Sequence, residues 1–135
     1  MYKKEIKYVD FNGTERVEDF YFHLSVPEVT RMQAKFGGQG METYAKNLSA
    51  NNDESGMINF IEELVLNAYG RKSPDGKSFI KTPEIRREFE YSQAYAELFE
   101  ELLTNHDETE RFANGIATQT KQMNQPSMAV VPTNR

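Results

Sequence analysis

The sequence predicts an α+β fold: an N-terminal β-hairpin followed by a four- to five-helix α domain, with a disordered C-terminal tail. Three observations carry this reading. Apolar residues alternate with period 2 up to Leu24, recur at helical spacing from there to Ile116, and lose all period beyond it. The domain is therefore expected over 1–116, with a flexible polar tail over 117–135.

Lys4 to Leu24 reads as the hairpin. Ile6 and Tyr8 alternate with Glu5 and Lys7, and Phe20, Phe22 and Leu24 share one face of the return strand. Between them Asn12-Gly13 suggests a type I′ turn, which needs φ above zero at both central positions. An unbulged two-residue loop would set Ile6 opposite Asp19. A bulge in the return strand or a slightly longer loop is therefore expected, bringing Phe20 onto the Ile6 face.

Ser25 starts the first helix as its N-cap, with Glu28 completing a capping box and Pro27 tolerated in the first turn. That helix stops by Phe36, where Gly37-Gly38-Gln39-Gly40 follows. Met41 to Leu48 forms a short helix, and a loop over 49–56 ends near a cap at Asp53 or Ser55. The next helix, 57–69, carries its apolar residues at Met57, Ile58, Phe60, Ile61, Leu64, Val65 and Ala68. Gly70 then stands as a helix C-cap, and Ser73-Pro74-Asp75-Gly76 as a type I turn. Thr82-Pro83 opens a helix over 83–103, expected to be the longest and to run through the core. Asn105 to Glu108 offers one more capping box, for a short helix ending at Asn114-Gly115.

Gly70 to Ser78 resembles a phosphate-gripping loop, and the spacing excludes one. That fingerprint places four residues between its glycines, after a strand and directly before a helix. Here five residues separate Gly70 from Gly76, a helical pattern precedes them, and Phe79-Ile80 follows. No nucleotide site is expected, and no cofactor.

The chain has 135 residues, enough for one core, and no cysteine, which excludes disulfides and thiolate metal sites and fits a reducing compartment. No apolar run approaches the roughly 18 residues that span a bilayer, so a soluble intracellular protein without membrane contact is expected. The net charge of -5 argues against a nucleic-acid binder. Charge is unevenly spread. Arg71, Lys72, Lys77, Lys81, Arg86 and Arg87 face only Asp75 and Glu84 within 71–87, a local balance of +4, which leaves -9 for the rest.

Catalytic chemistry has little to stand on. His23 and His106 lack ligand partners at helical spacing and read as surface or capping residues. Glu62-Glu63 and Glu97, Glu100 and Glu101 read as solvated acidic faces rather than a cation site. Catalytic, cofactor and metal residues are all expected to be absent. The basic cluster has two readings. One is a solvated loop and helix, with Arg86 and Arg87 paired to Glu90 and nearby acids. The other is a docking face for an acidic or amphipathic partner, continued along the helix by Tyr91 and Tyr95 at i, i+4 spacing.

Three stretches, Asp10 to Ser25 (DFNGTERVEDFYFHLS), Asn67 to Leu103 (NAYGRKSPDGKSFIKTPEIRREFEYSQAYAELFEELL) and Phe112 to Ile116 (FANGI), resemble the tail assembly chaperones of long, non-contractile-tailed phages of Gram-positive hosts. The resemblance implies a non-enzymatic protein of the host cytoplasm. Such a protein binds the long, helical tape measure protein, keeps it soluble, and is displaced as tail tube protein polymerises. The finished virion lacks it. The resemblance also implies a homo-oligomer and a frameshifted longer form of the chain. The alternative is a structural tail-completion or head-tail joining protein retained in the virion.

Overall fold

The structure, a computed structural model, describes residues 1–124 apart from Gly37 and Gln39. Two long strands open the chain, β1 (Tyr2–Val9) and β2 (Glu15–Phe22). The helices α1 (Val26–Lys35), α2 (Met41–Ala50) and α3 (Glu54–Ala68) follow, then two short strands, β3 (Tyr69–Lys72) and β4 (Phe79–Ile80). The helices α4 (Pro83–Glu90), α5 (Gln93–Thr104) and α6 (His106–Asn124) complete the α+β fold. The sheet order is β1-β2-β3-β4, antiparallel throughout.

The hairpin is unbulged. Val9 pairs with Glu15, Ile6 with Glu18 and Lys4 with Phe20, so a longer loop over 10–14 brings Phe20 onto the Ile6 face. The type I′ expectation gives way to a turn closed by the Gly13 N–H on the Asp10 carbonyl at 2.9 Å, with Gly13 alone in the left-handed region at φ 82°. Tyr2, Lys4, Ile6 and Tyr8 face the helices, and Lys3, Glu5, Lys7 and Val9 face outward.

Capping follows the sequence closely. Ser25 and Glu28 form the reciprocal box at 3.3 and 2.8 Å, Asp53 caps α3, and Thr82 caps α4 with Pro83 in its first turn. Asn105 accepts from the Glu108 N–H at 3.2 Å, while the Glu108 carboxylate turns instead to Lys4 and Arg111.

Four further expectations are corrected. The 83–103 helix is two helices, giving six among the described residues. Ser92 caps α5 by accepting from the Tyr95 N–H at 3.2 Å and donates to the Phe89 carbonyl at 2.6 Å, so the chain turns there. The core belongs to α3, which buries seven residues from Met57 to Ala68, against one in α4 and three in α5. Gly70 lies in β3 rather than at a left-handed cap: a Cβ there would come within 2.6 Å of the Phe79 ring and 2.7 Å of the Ile80 carbonyl. Finally, α6 does not stop at Gly115 but runs to Asn124, so 117–124 of the expected tail are helical and 125–135 lie outside the described residues.

The sheet's inner face meets the last helix directly. Phe22 and Phe112, both fully buried, meet edge-on at 5.1 Å, and Tyr2 meets Phe112 at 5.5 Å. Lys4 reaches Glu108 at 2.9 Å and Glu101 at 3.2 Å. Burial pushes its ammonium down, but those two hydrogen bonds outweigh burial and hold its pKa above the ordinary value.

Candidate docking surfaces

The basic residues expected to form a docking face stand on β3, the 73–78 turn, the link between β4 and α4, and α4 itself, and they do not form one patch. The turn is the expected one: the Gly76 N–H donates to the Ser73 carbonyl at 2.9 Å, and Asp75 accepts from Ser73 at 2.7 Å and from the Lys77 N–H at 3.0 Å. Gly76 takes φ 76°, the one position in this stretch where glycine's freedom is used. Lys72 and Lys77 are exposed around it, and Arg71 pairs with Glu88 across the β3–α4 gap.

Lys81 is tied into the fold. Its ammonium donates to both Glu28 oxygens at 2.9 and 3.0 Å and to the Asn67 carbonyl at 2.9 Å. Burial lowers its pKa. Burial pushes the Glu28 carboxyl up, but the Ser25 N–H and the Lys81 ammonium outweigh it and hold the group below its usual range. The Glu28 shift is the one an ion pair produces, whereas at Lys81 burial outweighs the same contact; the short contacts themselves join the start of α1 to the end of α3.

A groove of about 500 Å³ opens beside this pair, lined by Asn67, Tyr69, Thr82, Arg86, Arg87 and Glu90 among others. Arg86 lies 3.4 Å from the Asn67 amide oxygen and Arg87 3.8 Å from Glu84, and both side chains are exposed. The Tyr69 ring at its floor stacks on Phe89 at 4.0 Å. On the other side of Tyr69, where β3 parts from β2 after Gly70, lies a notch of about 310 Å³ between Asp19, Phe20 and Tyr21 and the pair Arg71 and Lys72.

Tyr91 and Tyr95 do not share a stripe, because the chain turns between them. Tyr91 is 72% exposed. Tyr95 is half-buried against Phe89 at 5.6 Å and Phe99 at 6.0 Å, and burial pushes its phenol up to about 12.

The histidines sit apart. His106 Nδ1 lies 2.8 Å from the Ser49 hydroxyl, joining α2 to the start of α6. His23 packs edge-on against Phe79 at 5.8 Å, its Nδ1 is buried without a hydrogen-bond partner, and burial lowers its pKa. Among the described residues no group of three or more His, Cys, Asp or Glu side chains could hold a metal ion, and no helix is long and apolar enough to cross a membrane.

One surface escaped the sequence reading. Of the five large hydrophobic side chains exposed among the described residues, Val9 (48%), Phe11 (78%) and Val17 (55%) gather at the hairpin tip. A signal was present: Phe11 occupies a turn position, where polar residues are the rule. No curated protein and no solved structure matches the chain significantly. A family model described as phage tail assembly chaperone matches residues 1–127, which spans both long strands and all six helices, and the chain belongs to that family.

Proposed function

We propose that this chain binds the tape measure protein of its phage, keeps it soluble until tail tube protein polymerises around it, and leaves before the virion is complete. Its role is non-enzymatic, and several copies act along one client, with a frameshifted longer form among the further partners. The observation that carries the reading is the family match over 1–127. A tail assembly chaperone acts while the tail is being built, inside the infected cell.

The exposed cations Arg71, Lys72, Lys77, Arg86 and Arg87, with Tyr91, supply orientation and encounter rate toward an acidic partner. Lys81 and Tyr95 hold the surface in shape. Co-expression tests the reading. The tape measure protein should move from the pellet to the soluble fraction when this chain is present, and the two should purify together. Arg86→Glu with Arg87→Glu should weaken that co-purification, more at low salt than at high, because exposed charges are screened beyond about 8 to 10 Å at physiological ionic strength. Mass spectrometry of purified virions finding stoichiometric amounts of this chain would refute the reading in favour of a structural tail component.

A further inference from the structure

The two margins of the sheet differ. β4 closes one side with two residues, whereas β1 stands at the other with eight and no bulge. Natural sheets keep their edge strands short, bulged or covered, because an uncovered edge offers its backbone to another strand. The Asp10 N–H, donating to the Thr14 carbonyl at 2.9 Å, continues the β1–β2 register by one pair and fixes its phase. Tyr2, Lys4, Ile6 and Tyr8 therefore turn their N–H and C=O groups toward β2, and Lys3, Glu5, Lys7 and Val9 turn theirs away from it. Among the described residues no strand pairs on that outer side. A trough of about 300 Å³ runs beside it, between Lys4 to Lys7 and the acids Glu97 and Glu101 of α5, which leaves the edge open.

Lysines and inward-pointing charges commonly blunt such an edge, and β1 has both. Two of its charges are neutralised within the chain: Lys3 lies 3.9 Å from Asp19, and the inward Lys4 holds Glu108 and Glu101. Glu5 and Lys7 are exposed and have no salt-bridge partner among the described residues. Glu5 stands opposite Asp19, a like charge, and Lys7 stands opposite Val17. An acid and a base two residues apart on one face of an edge strand are complementary to the same two residues run in the opposite direction.

We infer that β1 is the contact between two copies of this chain, paired antiparallel about a two-fold axis at Ile6. That register sets Glu5 opposite Lys7 of the second copy and Lys7 opposite its Glu5. Lys3 and Val9 face each other in the same reciprocal way, so every outward N–H and C=O of β1 finds a partner. The neighbouring registers fail on charge. With the axis at Glu5, Glu5 meets Glu5 and Lys3 meets Lys7; with the axis at Lys7, Lys7 meets itself; with the axis at Lys4, Lys4 meets Lys4. The acids beside the trough do not oppose the pairing at Ile6, because Glu101 holds Lys4 and Glu97 is exposed to solvent. Each four-stranded sheet then continues into the other with the helices on one side, and the contact, being the same patch on both copies, closes at two. It says how copies meet and does not depend on what the client is.

The test is sedimentation velocity of the full chain over a concentration series, where the parent should show a reversible monomer–dimer equilibrium. Glu5→Lys and Lys7→Glu should each raise the dimer dissociation constant about tenfold, since two cross-strand pairs turn from attraction to repulsion at once. An equimolar mixture of the two variants should recover the parent affinity, because each supplies the charge the other lacks. Glu5→Lys and Lys7→Glu together in one chain should recover it as well. Circular dichroism and thermal melting, expected to show the parent's fold in each variant, separate a lost contact from a lost fold, and recovery in the mixture does so independently. A parent that stays monomeric, single variants that dimerise as well as the parent, or a mixture that fails to recover would each overturn the inference. Solubilisation of the tape measure protein is a separate readout, so the chaperone reading stands or falls without the dimer.

Discussion

The two ends of one hairpin follow the same alternating pattern and meet opposite fates. At its root, Phe22 is fully buried, Tyr2 and Phe22 close on Phe112, and Lys4 bridges to α5 and α6. At its tip, Val9, Phe11 and Val17 stand in water, and the turn is held by local hydrogen bonds within Asp10 to Arg16. Both ends belong to a single unbroken register from Tyr2–Phe22 to Val9–Glu15. Alternation thus determines which face a side chain points to, while contact with the helices determines whether that face is buried. Stability is concentrated at the root, and the tip is free to be shaped by something other than folding.

The largest effect should come from breaking the root. Phe112→Ala removes a fully buried ring that touches both strands, and urea denaturation should show a loss of about 3–5 kcal/mol. A loss below about 1 kcal/mol, the level of a surface change, would mean that the root is not the anchor.

Next comes Gly115→Ala, whose Cβ would stand 2.3 Å from the Tyr2 ring. Overpacking should cost about 1–3 kcal/mol, only partly offset by about 1 kcal/mol of better helix propensity. Combined with Tyr2→Ala, the same change should become stabilising. Additive losses in that double-mutant cycle would show that the ring does not rest on Gly115.

A smaller and purely local effect is expected at Asp10. Hydrogen bonds from Arg16 and from the Thr14 and Asn12 N–H groups hold its carboxyl below the ordinary value of 3.8. Because the folded pKa is the depressed one, the contribution is complete above about 3.8 and fades as pH falls through the folded value. Asp10→Ala, or acid in that window, should speed amide exchange at Asn12 and Thr14 while exchange at the root stays slow. Equal loss of protection at Tyr2 to Ile6 would erase the distinction between the two ends.

The smallest expected effect on stability is at the tip. Phe11→Ser should shift unfolding by no more than about 0.5 kcal/mol, since the side chain is exposed and makes no core contact. A larger loss would show that the tip takes part in holding the fold.

What could be read from sequence was whatever depends on neighbours along the chain. The Ser25–Glu28 box, the Asp53 and Thr82 caps and the Ser73–Gly76 turn all form as spacing implies. What could not be read depends on residues far away. Asn114-Gly115 looks like a helix stop, but Tyr2 packs over Gly115 and the helix continues beneath it. Tyr69 to Lys72 has no strand pattern and becomes one because β2 and β4 flank it. Ser92 is a cap in mid-pattern, and the helical period running across it from 83 to 103 hides the break between the two helices. The candidate surface divides the same way. Six cations close in sequence suggested one patch, yet Lys81 turns inward to Glu28 and Asn67, a partnership formed across 53 and 14 residues.

The clamp between Tyr2 and α6 has a consequence in time. The ribosome makes β1 well before α6, with Lys4 and Glu108 separated by 104 positions. At about 5–20 residues per second, that separation corresponds to roughly 5 to 20 s during which Tyr2 and Phe22 of the nascent hairpin lack their Phe112 partner. The fold is therefore completed only once α6 has emerged and closed over β1.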